Sequence, residues 1–197
     1  MSDRAHGRAG RDATTAYHEA GHAVADFYLR FKIRKVTIRP EREKRHEYHG
    51  YCQRQGRSYL DRIDIEVTPV KQNRIFNRII AIAAGYVAQK RFSPRSVRRW
   101  HTSGDEQMAA DLALYVTDPT GVEYLLRWLY HCAENLVEVR WGDICAVADA
   151  LLERKTLSGD EVREIINRRY APLPDFDRLR AQTGKSKRRR VPASKEQ

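Results

Sequence analysis

The sequence predicts a mainly helical fold with one small antiparallel β-sheet, in the α+β class, and three observations lead there. Apolar residues recur at helical spacing through most of residues 13–170. The one alternating, β-branched run, Lys35-Val36-Thr37-Ile38-Arg39, is closed by Pro40 and followed within a few residues by a second short strand pattern. The chain has 197 residues, 41% of them hydrophobic, which suits one well-buried core and is short for two.

Taken in order, residues 1–12 are polar and read as a flexible lead-in. Thr14 or Thr15 caps a helix starting near Ala16, with Tyr17, Ala20, Ala23, Val24, Phe27 and Tyr28 as its apolar stripe, running to about Leu29. The strand 35–39 follows. Residues 41–50 are highly charged and read as a loop, and Tyr51 to Gln53 as a short pairing strand. Residues 70–92 turn helical, with Ile75, Ile79, Ile80, Ile82, Ala83, Val87 and Phe92 on a broad apolar face. After a basic loop at 93–102, a helix begins near Ser103 or Gly104, runs to about Tyr115, and is broken by Pro119. Helices at 122–138 and 141–152 follow, carrying Trp128 and Trp141 at core positions. A last helix, 158–169, opens on the capping box Ser158-Gly159-Asp160-Glu161. Residues 171–197 contain prolines and then Lys and Arg, the composition of a disordered tail.

Charge and cysteines restrict the function classes. The 37 Lys and Arg against 26 Asp and Glu give a formal charge of +11, a balance that raises nucleic acid as a partner. Much of it is local, because Lys185, Lys187, Arg188, Arg189, Arg190 and Lys195 crowd the last fourteen residues against Glu196 alone. A solvated basic terminus is therefore favoured over a nucleic-acid contact. Cys52, Cys132 and Cys145 form no CxxC pair and leave one over from any disulfide scheme, so reduced thiols in a cytoplasmic setting are expected. The longest apolar run, 79–88, has ten residues, about half of what a transmembrane helix needs.

The chemistry sits in His18-Glu19-Ala20-Gly21-His22, an HExxH pattern inside an apolar-periodic helix. Histidines four residues apart share one helical face, so both imidazoles reach one metal ion, and Glu19 projects beside them. Zinc is the ion this donor set implies. It lowers the pKa of its water to about 7, and Glu19 then acts as general base toward a peptide carbonyl. A catalytic zinc needs a third protein ligand and an open position. His46, His49, His101, Asp105, Glu106 and Asp111 are the candidates, and spacing does not choose among them.

The segment Ala16-Tyr17-His18-Glu19-Ala20-Gly21-His22-Ala23-Val24 resembles the zinc-site helix of the peptidase domain of FtsH-type ATP-dependent proteases, peptidase family M41. The likeness continues through Lys35-Val36-Thr37-Ile38, Gly50-Tyr51, Ala83-Ala84-Gly85-Tyr86-Val87-Ala88 and the stretch from Leu151 to Glu161. It covers residues 13–167. In that family the third ligand is an aspartate at the start of a helix, and the register of Thr102-Ser103-Gly104-Asp105 with Asp111-Leu112-Ala113 assigns it to Asp105. The resemblance thus implies an M41-like helical metallopeptidase domain at 13–170, with His18, His22 and Asp105 as zinc ligands and Glu19 as the catalytic residue. The sequence also departs from the family. There is no P-loop, and Tyr86 and Gln89 stand where the family has Arg and Glu.

The expectation is therefore a zinc endopeptidase, ATP-independent in this chain, that hydrolyses flexible polypeptide substrates lying along the sheet edge near Val36 to Arg39. Any unfolding motor would come from a separate ATPase or adaptor. The alternative is a non-catalytic member of the fold acting as a basic binding or adaptor protein for nucleic acid or an acidic partner.

Overall fold

Small residues set the architecture, because they let two long helices run side by side at close range. We describe the protein from a computed structural model over residues 2–43, 46–48, 50–55, 67–96 and 99–170; at 2–9, 41–43, 46–48 and 99–103 it describes the backbone. Helix α1 spans Ser2–Tyr28 and α2 spans Pro69–Phe92. Where they pack, α1 presents Ala16, Ala20, Gly21 and Ala23 and α2 presents Ala81, Ala84, Gly85 and Ala88, all alanines there being buried. A Cβ on Gly21 would lie 2.5 Å from the Ala84 carbonyl oxygen and 2.7 Å from Ala88 Cβ. Glycine is required at that crossing, and the resulting closeness is what brings backbone groups of α2 within reach of α1 side chains.

The start of α1 differs from the sequence expectation. The helix begins at Ser2, not near Ala16. Thr14 is no cap: its hydroxyl donates back to the carbonyls of Arg11 (2.8 Å) and Gly10 (3.3 Å), an arrangement open to threonine inside a helix. The end falls where expected. Arg30 takes φ 65°, and Phe31 N–H donates to Asp26 O at 2.8 Å, a Schellman closure made without glycine.

Three strands form the main sheet in the order β4-β1-β5, all antiparallel: β1 Ile33–Thr37, β4 Tyr51–Arg54 and β5 Thr156–Ser158. Val36 faces Cys52 on one side and Leu157 on the other. The expected strand thus lies two residues earlier than read, and β5 was not anticipated. Because β1 is the central strand, and Ile38 N–H donates to Lys155 O at 2.9 Å, residues Val36 to Arg39 do not offer the free edge first expected there. Among the described residues β4 pairs on one side only. The charged stretch read as a loop contains a second ladder, β2 Glu41–Glu43 with β3 His46–Tyr48.

The remaining elements follow their sequence signals, except at the start of α3. Thr68 caps α2, accepting from Lys71 N–H. A single 3-10 turn, Pro94–Ser96, leads toward α3, Arg99–Ala113, which begins four or five residues before the expected start. Then come α4 Val122–Val139, α5 Trp141–Arg154 and α6 Gly159–Arg169, the last opened by the capping box between Ser158 and Glu161. One core joins α1, α2, α5, α6 and the sheet through Val24, Ile144, Val147, Leu151, Leu157 and Ile166. A second joins α2, α3 and α4 through Ile75, Ile79, Ile82, Leu112 and Leu129. Burying each of these large side chains stabilises the fold by about 1.5–3 kcal/mol. Trp141 stacks on Tyr17. Trp128, expected in the core, is 56% exposed with its edge on Phe76, since it lies on the outer flank of α4. The three cysteines are free. Among the described residues no helix is long and apolar enough to cross a membrane. The tail at 171–197 and His49 lie outside the described residues, as do the side chains of His46 and His101.

Candidate metal centre

His18 and His22 stand one turn apart on the face of α1 that meets α2 and α3. The two helices run antiparallel there, so His22 meets the earlier part of the facing stretch of α2 and His18 the later part. His22 Nδ1 donates to the Ala81 carbonyl at 2.9 Å, and His18 Nδ1 donates to Gln89 Oε1 at 3.1 Å. Between those two positions, a Cβ on Gly85 would collide with the His22 ring at Nε2 and Cε1. Ala81, Gly85 and Gln89 thus form a stripe that cradles both imidazoles.

These partners fix which ring nitrogen carries the proton. A peptide carbonyl only accepts, so His22 Nδ1 is protonated and its Nε2 lone pair points inward. For His18 the polarity is set through a chain. Ser96 Oγ donates to Ser93 O at 2.7 Å and accepts from Gln89 Nε2 at 3.2 Å, which turns Gln89 Oε1 toward His18. Both Nε2 atoms are therefore free to donate lone pairs into one space.

Asp105, from the second turn of α3, completes that space. Its Oδ2 lies 3.2 Å from His18 Nε2 and 3.3 Å from His22 Nε2, and the two Nε2 atoms are 3.0 Å apart. Three electron-rich atoms this close repel unless a cation sits among them. A proton on one ring satisfies one edge of the triangle, whereas a divalent ion satisfies all three. A tetrahedral zinc with bonds of about 2.0–2.1 Å sets its ligand atoms about 3.3–3.4 Å apart, close to the spacing seen. The residues fit the ion, and they form the one group with metal-ligand geometry among the described residues.

Electrostatics keep Asp105 anionic. Burial alone would raise the Asp105 carboxyl, but the charges and hydrogen bonds of His22 and His18 hold it far below the usual carboxylate range. Burial works against protonated His22, yet the charge and hydrogen bond of Asp105 outweigh it and raise the ring's pKa. The other acidic candidates face away. Glu106 is exposed, and Asp111 is an exposed acceptor for Gln107 Nε2 at 2.8 Å. Asp105 itself lies inside α3, about one and a half turns from its start, because the helix begins at Arg99 and not near Ser103 or Gly104 as expected.

Glu19 lies beside the triangle and is only 5% exposed. Its Oε2 has no hydrogen-bond partner among the described residues, which is costly for a buried carboxylate. Burial, with help from Asp105, pushes the Glu19 carboxyl up to about 7, while His18 and Arg54 pull it down. A Cβ on Gly50, just before β4, would stand 3.1 Å from Glu19 Cγ, so the strand's start rests directly on Glu19. One turn past His22, fully buried Asp26 accepts from Arg54 Nη2 at 2.7 Å, tying β4 to α1.

The structure brings His18, His22, Asp105 and Glu19 together. Sequence reading missed Gln89, Gly85, the Ala81 carbonyl and the Asp26–Arg54 pair. The four-residue stripe at 81, 85 and 89 was the one signal that could have revealed the first three. No family model matches the chain, and no curated protein was found similar to it.

Proposed function

We propose that this chain is a zinc-dependent endopeptidase of the kind its HExxH helix resembles, the FtsH-type peptidase domain, acting without ATP of its own. The observation that supports this most is the convergence of two Nδ1-anchored imidazoles and one distant carboxylate, with a buried, unpartnered Glu19 oxygen next to them.

In this reading His18, His22 and Asp105 would hold the ion, which would offer water and substrate a catalytic zinc's open position. Bound zinc supplies a water acidified to about pKa 7 and a Lewis acid for the scissile carbonyl. Glu19 Oε2 accepts the proton from the attacking water and returns it to the leaving amine nitrogen, the role for which an orphaned carboxylate is suited. Strand β4, which pairs on one side only among the described residues, is where an extended polypeptide would add, and Gly50 places its start against Glu19. Folded proteins do not present such a strand, so peptides and flexible segments are the expected substrates.

Zinc content and cleavage of casein or an unstructured peptide test the proposal, measured for wild type and Glu19→Gln. Cleavage by wild type that a chelator abolishes, with zinc retained but cleavage lost in Glu19→Gln, is the expected result. Zinc bound equally by both proteins with no Glu19-dependent cleavage would move the chain to the binding or adaptor class.

A further inference from the structure

We infer that Gln89 is a positioning residue whose neutral amide aims the His18 imidazole at the metal and leaves the centre more positive than an acidic partner would. The inference rests on the zinc reading above.

Direction is the first part of the argument. Ser93 O, Ser96 Oγ, Gln89 and His18 Nδ1 form one chain of hydrogen bonds at 2.7, 3.2 and 3.1 Å. Each member has its donor and acceptor roles set by its neighbour. Gln89 is 7% exposed, so its amide has little freedom to turn and no bulk water to replace a lost partner. A buried amide locked in this way holds the ring in one tautomer and one orientation.

Charge is the second part. The three ligands contribute one negative charge, from Asp105, against the two positive charges of a divalent ion. The outer partners, Gln89 Oε1 and Ala81 O, are both neutral. Glutamate at position 89 would add the missing negative charge next to His18, make that imidazole a stronger donor and tighten the metal. With glutamine there, Glu19, whose carboxyl interacts with His18 and Asp105, remains as a neighbouring acid. Ser96 belongs to the turn that leads from α2 toward α3, the helix bearing Asp105. The chain therefore also links His18 on α1 to the turn that precedes the helix bearing Asp105.

The test is zinc affinity, read by competition with a chromophoric chelator, for wild type, Gln89→Glu, Gln89→Ala and Ser96→Ala. The visible spectrum of the Co(II)-loaded proteins reports ligand orientation independently of activity. Gln89→Ala should bind zinc about 10–100-fold more weakly, the usual cost of losing an outer partner. Ser96→Ala should weaken binding by a smaller factor. Gln89→Glu should bind more tightly than wild type, with a shifted cobalt spectrum. If Gln89→Ala fails to fold, the glutamate and Ser96 variants decide the matter. Zinc bound by all four with equal affinity and identical cobalt spectra would overturn the role of Gln89 alone. Absence of zinc from all four, wild type included, would overturn the zinc reading and this inference with it.

Discussion

Replacing Gly85 by alanine adds one methyl group where α2 packs against the His18–His22 face of α1. The new Cβ would collide with Nε2 and Cε1 of His22 and stand 2.8 Å from Cδ2. His22 has little room to yield, since the residue is 7% exposed and its Nδ1 is held by the Ala81 carbonyl one turn earlier on α2. To admit the methyl group the ring must leave that carbonyl and swing out of the triangle. Alanine is worth about 1 kcal/mol over glycine inside a helix, but overpacking costs about 1–3 kcal/mol. The net loss is up to about 2 kcal/mol, a fall in Tm of a few degrees for a chain this size. Zinc affinity should suffer more. Losing an outer partner alone costs about 10–100-fold, and here the ligand itself moves, so a loss of at least about 100-fold is expected. Gly104→Ala is the control, because a Cβ there meets nothing within 4 Å although the residue adjoins Asp105. It should keep full affinity. Chelator competition with parallel thermal melts provides the measurement. A Gly85→Ala protein that binds zinc within threefold of wild type and melts at the same temperature would refute the close packing of α2 on His22.

Two further predictions concern stability. Asp143 is 1% exposed and accepts from Tyr28 OH (2.9 Å), Tyr170 OH (3.0 Å) and Arg169 Nε (2.8 Å). Asp143→Ala should therefore cost about 1.5–3 kcal/mol in urea unfolding, the range for hydrogen bonds to a charged group, since Arg169 and Tyr170 are half exposed and can be hydrated; a cost under about 1 kcal/mol would show that the cluster is not coupled to the fold. Glu161 has its pKa lowered by the Ser158 backbone and side chain. Ionised Glu161 thus stabilises the folded state above the unfolded carboxyl range, about 4.3, and the contribution fades as pH falls through the lower folded-state value. Glu161→Gln should be about 0.5 kcal/mol less stable at pH 7, kept small by solvent screening. The gap should close in acid, and a gap that widened as pH fell would contradict the sign.

Local signals were legible in the sequence wherever one element contains its own instructions. The HExxH spacing places two imidazoles on one face of α1 whatever else the chain does, and Ser158 with Glu161 makes its capping box from four consecutive residues. Short strands were harder. β5 has three residues, too few to show alternation, and exists because β1 supplies its partner 119 residues away between Thr37 and Thr156. The first half of α1 was missed because a polar helix shows no apolar stripe. The carboxylate that joins His18 and His22 was undetermined from residue types alone. Glu106 and Asp111 are as acidic as Asp105, and the packing of α3 on α2 decides which carboxylate turns inward. Gln89 and the Ala81 carbonyl act across 71 and 59 residues, a relation visible only once α1 and α2 are laid antiparallel.

The coordination sphere itself is the most direct test of the central claim. X-ray absorption at the zinc edge, on protein loaded with one equivalent, should show nitrogen and oxygen neighbours at about 2.0–2.1 Å, with the outer scattering of two imidazoles. Asp105→Asn should lose affinity, and His22→Ala should lose one imidazole signal. A sulfur shell near 2.3 Å, or a zinc signal indifferent to both substitutions, would place the ion elsewhere and contradict the account.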